Sequence, residues 1–180
     1  MAQEAAKDYR KHISVRDVAF VVRCSGAATL SFVAASVVGL DHPVWAAMSS
    51  IIISQDTLRD TENAALWRVC GTLVGIAVAV SSGTLLETVH ASVAVEIGVS
   101  VAVCAALARK WPDLRVAMWT APIVYLTRSS DVSLWHAGLW RGTEVLLGGL
   151  IGTALHCMME RLILRKRLAA DQGDNLSAGR

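Results

Sequence analysis

The sequence predicts an all-α membrane protein of six transmembrane helices arranged as two inverted three-helix repeats. Three observations predict it. The 180 residues are 54% apolar with a mean hydropathy of +0.47, too hydrophobic for an ordinary soluble domain. Charges gather in short clusters between long apolar stretches, and a bilayer core of about 30 Å takes roughly 20 helical residues to cross. The pattern of long, short and long apolar segments is then written twice, with Trp45 and Arg68 in the first unit and Trp119 and Arg141 in the second.

The first sixteen residues form a polar tail without the apolar core of a cleavable signal. Span one covers about 17–39 and carries Arg23, Ala27, Ser31, Ala35 and Gly39 four apart on one face. Small residues at that spacing let helices approach closely in lipid. Span two, about 42–54, opens with Trp45 and includes Ser49 and Ser50; it is too short to cross alone. A charged connector over 57–66 reads as a loop or interfacial helix.

Span three, about 68–86, aligns Gly71, Gly75, Ala79 and Gly83. Span four, about 89–108, puts Ser92, Glu96, Ser100 and Cys104 on one face. Span five, about 116–127, is again short, is interrupted by Pro122, and holds Trp119, Thr120 and Tyr125. Span six, about 141–160, aligns Glu144, Gly148, Gly152 and His156. Residues 161–180 form a basic, then polar tail expected to be partly disordered. The repeats divide as 17–86 and 89–160.

A shift of 73 places Trp67-Arg68 on Trp140-Arg141, Leu73 on Leu146, Gly75 on Gly148 and Arg23 on Glu96. Three spans per unit is an odd number, so the second unit enters the membrane upside down. Short or broken segments at matching places in two inverted halves mark a transporter's substrate path, here spans two and five, expected to meet near mid-membrane. Fourteen of the 17 Lys and Arg flank one side, which predicts cytoplasmic termini by the positive-inside rule.

The stretch HPVWAAMSSIIIS, the polar connector and WRVCGTLVG resemble the fusaric acid resistance and aromatic acid exporter family. Its most specific elements here are the tryptophan-led short helix and Arg68, Gly71 and Thr72. The chain is also distantly similar to plant aluminium-activated malate transporters. The resemblance covers about 16–160 and implies export of organic, chiefly aromatic, carboxylates across a bacterial inner membrane. Larger exporters of this kind join two six-span modules, so one module implies a homo-oligomer, most simply a dimer. A periplasmic adaptor is a further expected partner.

Candidate path residues follow from charge and aromaticity. Arg23, costly inside a membrane, either supplies positive charge to an anion path or snorkels to the headgroups. Glu96 pairs with Arg23, carries a proton, or ties helices together. Arg68 and Arg141, opening spans three and six on opposite sides, attract anions at the two mouths or anchor the helices. Glu144 stands one turn from Arg141, close enough for a local pair. Trp45, Trp119 and Tyr125 stack on an aromatic acid or belong to an interfacial belt. Ser49, Ser50 and Thr120 offer hydroxyls; His156 is a proton-relay candidate.

The glycines Gly71, Gly75, Gly83, Gly148 and Gly152 are packing faces within or between chains. The four cysteines lack metal-ligand spacing, and no nucleophile–base set indicates an enzyme. No metal, cofactor or nucleic acid is expected; lipid and an organic anion are. A passive anion channel and a non-transporting membrane subunit are the alternatives to a transporter.

Overall fold

The computed structural model describes residues 15–128 and 132–178. It contains α1 (Val15–Val38), α2 (Val44–Ile53), α3 (Leu58–Glu87), α4 (Val93–Lys110), α5 (Ala117–Leu126) and α6 (Leu134–Ala178), with a 3-10 turn, Pro112–Val116, leading into α5. Among the described residues there are no strands. The polar tail expected over 1–16 lies almost wholly outside them.

Local chemistry sets the helix ends. Gly39 adopts φ 79° and the Leu40 N–H reaches back to the Ala35 carbonyl at 3.0 Å, a left-handed glycine stop for α1. The Thr57 hydroxyl accepts the Asp60 N–H at 3.2 Å, capping the start of α3. Pro122 has no N–H to give the turn before it and interrupts the ladder of α5.

Helices α1, α3 and α6 are long and apolar enough to cross a membrane, whereas α2 is a shorter apolar helix. Helices α2 and α5 have 10 residues each, about 15 Å of rise, or half a bilayer core. Helix α4 holds Glu96, Arg109 and Lys110 within its 18 residues.

Two expected boundaries move. The connector over 57–66 is the first part of α3, so Arg68 lies well inside that helix; likewise α6 begins at Leu134, before Arg141. Neither arginine opens its helix, because capping and continuous backbone hydrogen bonding, rather than hydropathy, set where the helices begin. The tail expected to fray continues α6 to Ala178.

Helices α3 and α6 pack together at the centre, with α1 and α2 against α6, and α4 and α5 against α3. Among the described residues α2 and α5 do not touch, so the short helices do not meet as expected. The central pair stands between them, and each short helix is drawn into a glycine seam on the long helix of the other half. A carbon added at Gly148 would overlap the Ala46 carbonyl oxygen, and one at Gly75 would lie 2.7 Å from Thr120 Cβ.

Gly71 faces Val116, Gly83 faces Tyr125 and Leu134, and Gly152 faces Ile53. These seams are consumed inside one chain and are not available as faces for a second copy. Large apolar side chains point outward, among them Phe20, Val33, Val37, Leu73, Leu85 and Leu150. Ala, Ser and Thr fill much of the inside together with Arg, Glu, His and a few larger apolar side chains such as Ile53, Val124 and Tyr125. That inversion suits lipid as solvent, and the chain is a multi-pass membrane protein.

Candidate functional site

Four of the five residues of the stripe predicted on α1 face inward: Arg23, Ala27, Ser31 and Ala35 are buried, while Gly39 beyond the helix end is exposed. Arg23 Nη2 donates to the Gln55 carbonyl just beyond α2, a cation at a helix C-terminus where the dipole favours it. Its guanidinium also lies 5.1 Å from the Phe20 ring centroid. A cavity of about 450 Å³ adjoins it, lined by Arg16, Asp17, Phe20, Arg23, Asp56 and Glu160 among others.

Glu96 is buried on α4, and α1 and α4 do not touch. The expected Arg23–Glu96 pair is therefore not made. The two residues stand on helices that pack against different members of the central pair, α1 on α6 and α4 on α3.

The structure gathers Arg68 and Arg141 instead. They are 3% and 2% exposed, and the charge of Arg141 is felt at Arg68. Arg68 lies 5.5 Å from the Trp119 ring centroid and Arg141 lies 4.5 Å from that of Trp45, both within cation–π range. Each arginine of a long helix thus sits by the tryptophan of the other half's short helix. Trp119 is 49% exposed on its outer side.

Arg68 Nη2 donates to Ser49 Oγ at 3.5 Å, from a serine seated against Gly148. Ser50 and Thr120 bond back to the carbonyls of Ala47 and Val116 on their own helices. Tyr125 is packed and donates to the Ala79 carbonyl at 2.7 Å, which ties α5 to α3 and leaves its ring no free face for a ligand.

Arg141 and Glu144 form the expected local pair, Nη1 to Oε2 at 3.6 Å, with both side chains 2% exposed. Nε and Nη1 of Arg68, and Nε, Nη1 and Nη2 of Arg141, make no hydrogen bond. Buried guanidinium donors without acceptors are costly. Two cations against one carboxylate leave a net positive centre with donors to spare, the chemistry of an anion site.

Spacing did not disclose one buried contact: Thr61 Oγ1 and His156 Nδ1 are 2.7 Å apart. Only the inward stripe of Glu144, Gly148, Gly152 and His156 hinted that the histidine faces the interior. The cysteines are free thiols.

Residues 29–155 match the family described as fusaric acid resistance protein-like. No curated protein and no solved structure matches the chain. The match spans well over half of the sequence, and the chain belongs to this family of membrane transport proteins.

Proposed function

We propose that the chain is an inner-membrane exporter of organic carboxylates, aromatic ones above all, built as six spans in two inverted repeats with both termini cytoplasmic. The observation that carries this reading is the buried Arg68–Arg141 pair, with unbonded N–H groups beside two tryptophans. A guanidinium offers a carboxylate two parallel donors, and the neighbouring indoles offer an aromatic ring a flat apolar surface.

The packing supports the inverted arrangement. Exchanging α1, α2 and α3 for α4, α5 and α6 maps every α-helix contact onto another or onto itself. With Arg68 and Arg141 inside helices, thirteen Lys and Arg remain on the proposed cytoplasmic side, against Arg128 opposite. Arg128 bonds Glu87 at 2.8 Å, joining the α5–α6 and α3–α4 connections where both lie extracytoplasmic. Because the glycine seams are filled, a homodimer would use the outward apolar faces. Native mass in nanodiscs reads that state, and fully active monomers would exclude it.

The test is flux of benzoate or a similar aromatic carboxylate by purified protein in liposomes. Saturable flux that an uncoupler abolishes, and that Arg68→Gln removes, supports export. Ohmic anion current supports a channel instead, and no flux under any gradient leaves a non-transporting subunit.

A further inference from the structure

At the end of the bundle away from the Glu87–Arg128 pair, four helices meet through a short chain of polar contacts. His156 on α6 is 0% exposed. Its Nδ1 lies 2.7 Å from Thr61 Oγ1 on α3, and the same oxygen accepts the Gln55 N–H at 3.0 Å. The Gln55 carbonyl in turn accepts from Arg23 on α1. On the other side of the ring, Nε2 makes no hydrogen bond and stands 3.9 Å from Glu160 Oε1. Glu160 is 35% exposed and lines the 450 Å³ cavity with Arg16, Asp17 and Asp56.

We infer that His156 and Glu160 together hold one exchangeable proton, and that its presence is felt at the inner end of α2. A neutral imidazole has one N–H and one bare nitrogen. A second proton gives it two donors, and an oxygen stands ready for each: Thr61 Oγ1 at Nδ1 and the Glu160 carboxylate at Nε2. The heavy atoms keep their places, and only the Thr61 hydroxyl proton turns. Glu160 reaches the cavity, so the proton enters and leaves there without crossing the bundle.

The charged groups around the ring come from each packed element. Arg23 faces it from α1, Glu62 from α3 and Glu160 from α6 itself. Helices α2 and α5 contribute no Asp, Glu, Lys, Arg or His. The proton therefore sits between one cation and two carboxylates, a balance that either form of the imidazole changes by one charge.

Thr61 carries the change onward. When His156 donates from Nδ1, the threonine hydroxyl turns its own proton away while its oxygen still holds the Gln55 N–H. Gln55 follows the C-cap of α2, the helix whose Ser49 accepts from Arg68. Proton occupancy at one end of α2 and anion occupancy at Arg68 are thus linked through a single ten-residue helix. The use of this proton in transport rests on the export reading above; the site itself is read without any substrate.

The experiment is ring-nitrogen NMR of the full chain, labelled with ¹⁵N-histidine, in lipid nanodiscs from about pH 5 to 8.5. His156→Gln identifies the buried resonance. If that variant fails to fold, a chain with His12, His42, His90 and His136 replaced leaves His156 as the sole signal. The expected result is conversion of this resonance to a doubly protonated form, with a profile displaced by about one pH unit in Glu160→Gln, a substitution at a partly exposed position.

A resonance neutral throughout, or a profile identical in Glu160→Gln, overturns the shared-proton site. The link to α2 is read by alkylation of Gln55→Cys in a chain lacking its four native cysteines. A rate that follows the histidine profile supports the link, and a rate that ignores it overturns it. Absence of aromatic-acid flux would overturn the export reading alone.

Discussion

Arg141 shares its burial with a carboxylate, and Arg68, its counterpart in the other half, does not. Both lie inside long central helices, and both contact the tryptophan of the opposite short helix. The difference traces to one position. Glu144 stands one turn past Arg141, and a shift of 73 places Gly71 at the same point past Arg68. At Gly71 an added carbon would lie 2.8 Å from Val116 Cβ, because the approach to α5 passes directly over it. The packing that seats α5 thus excludes a counter-charge from the Arg68 side. The helix packing sets where the two cations stand, and one side chain sets which of them has a carboxylate partner.

The largest expected effect breaks the comparison from the Arg141 side. Glu144→Gln strips a buried cation of its partner and should destabilise the protein by about 3–5 kcal/mol. Thermal unfolding in mild detergent measures it; an unchanged midpoint would show that Arg141 never depended on the carboxylate. Next comes Arg68→Gln, which should weaken anion binding by at least about tenfold, the loss of a charge-assisted bond. Arg68→Lys should keep part of it, and full affinity in the Gln variant would sink the assignment of Arg68 as the free cation.

The frame itself is probed by Gly75→Ala and Gly148→Ala, each overpacking a seam by about 1–3 kcal/mol. Gly148→Ala should cost more, since the added carbon overlaps the Ala46 carbonyl oxygen, whereas at Gly75 the nearest main-chain oxygen, that of Ala117, lies 3.0 Å away. Gly98→Ala, with open space at that position, serves as the control, and equal losses at all three would refute the seams. The smallest effect belongs to Trp119→Leu. Losing one half-exposed cation–π contact should cost about 0.5–1 kcal/mol of binding, a few-fold in affinity by titration, and less than the more enclosed Trp45 if enclosure strengthens the contact.

Much of the helical frame was legible before any coordinates. Of the four-residue stripes on α1 and α4, Arg23, Ala27, Ser31 and Ala35, and Glu96, Ser100 and Cys104, are buried, while Gly39 and Ser92 at the stripe ends are exposed. The glycine rows were readable as seams. The depth of Arg68 was not, because hydropathy marks where a segment turns apolar, while α3 begins earlier at a threonine cap. The Thr61–His156 contact joins residues 95 positions apart, and no spacing rule reaches that far.

Periodicity and hydropathy are local properties, and by themselves they determined the helical class, the membrane character and most of the inward faces. The tertiary structure alone decided the partners: α2 with the seam of α6, α5 with the seam of α3, Arg68 with Trp119, Arg141 with Trp45. The reason is that two rows of glycine look alike along the chain. Which helix each row accepts depends on the fit of surfaces far apart in sequence, and that fit exists only once the helices are packed.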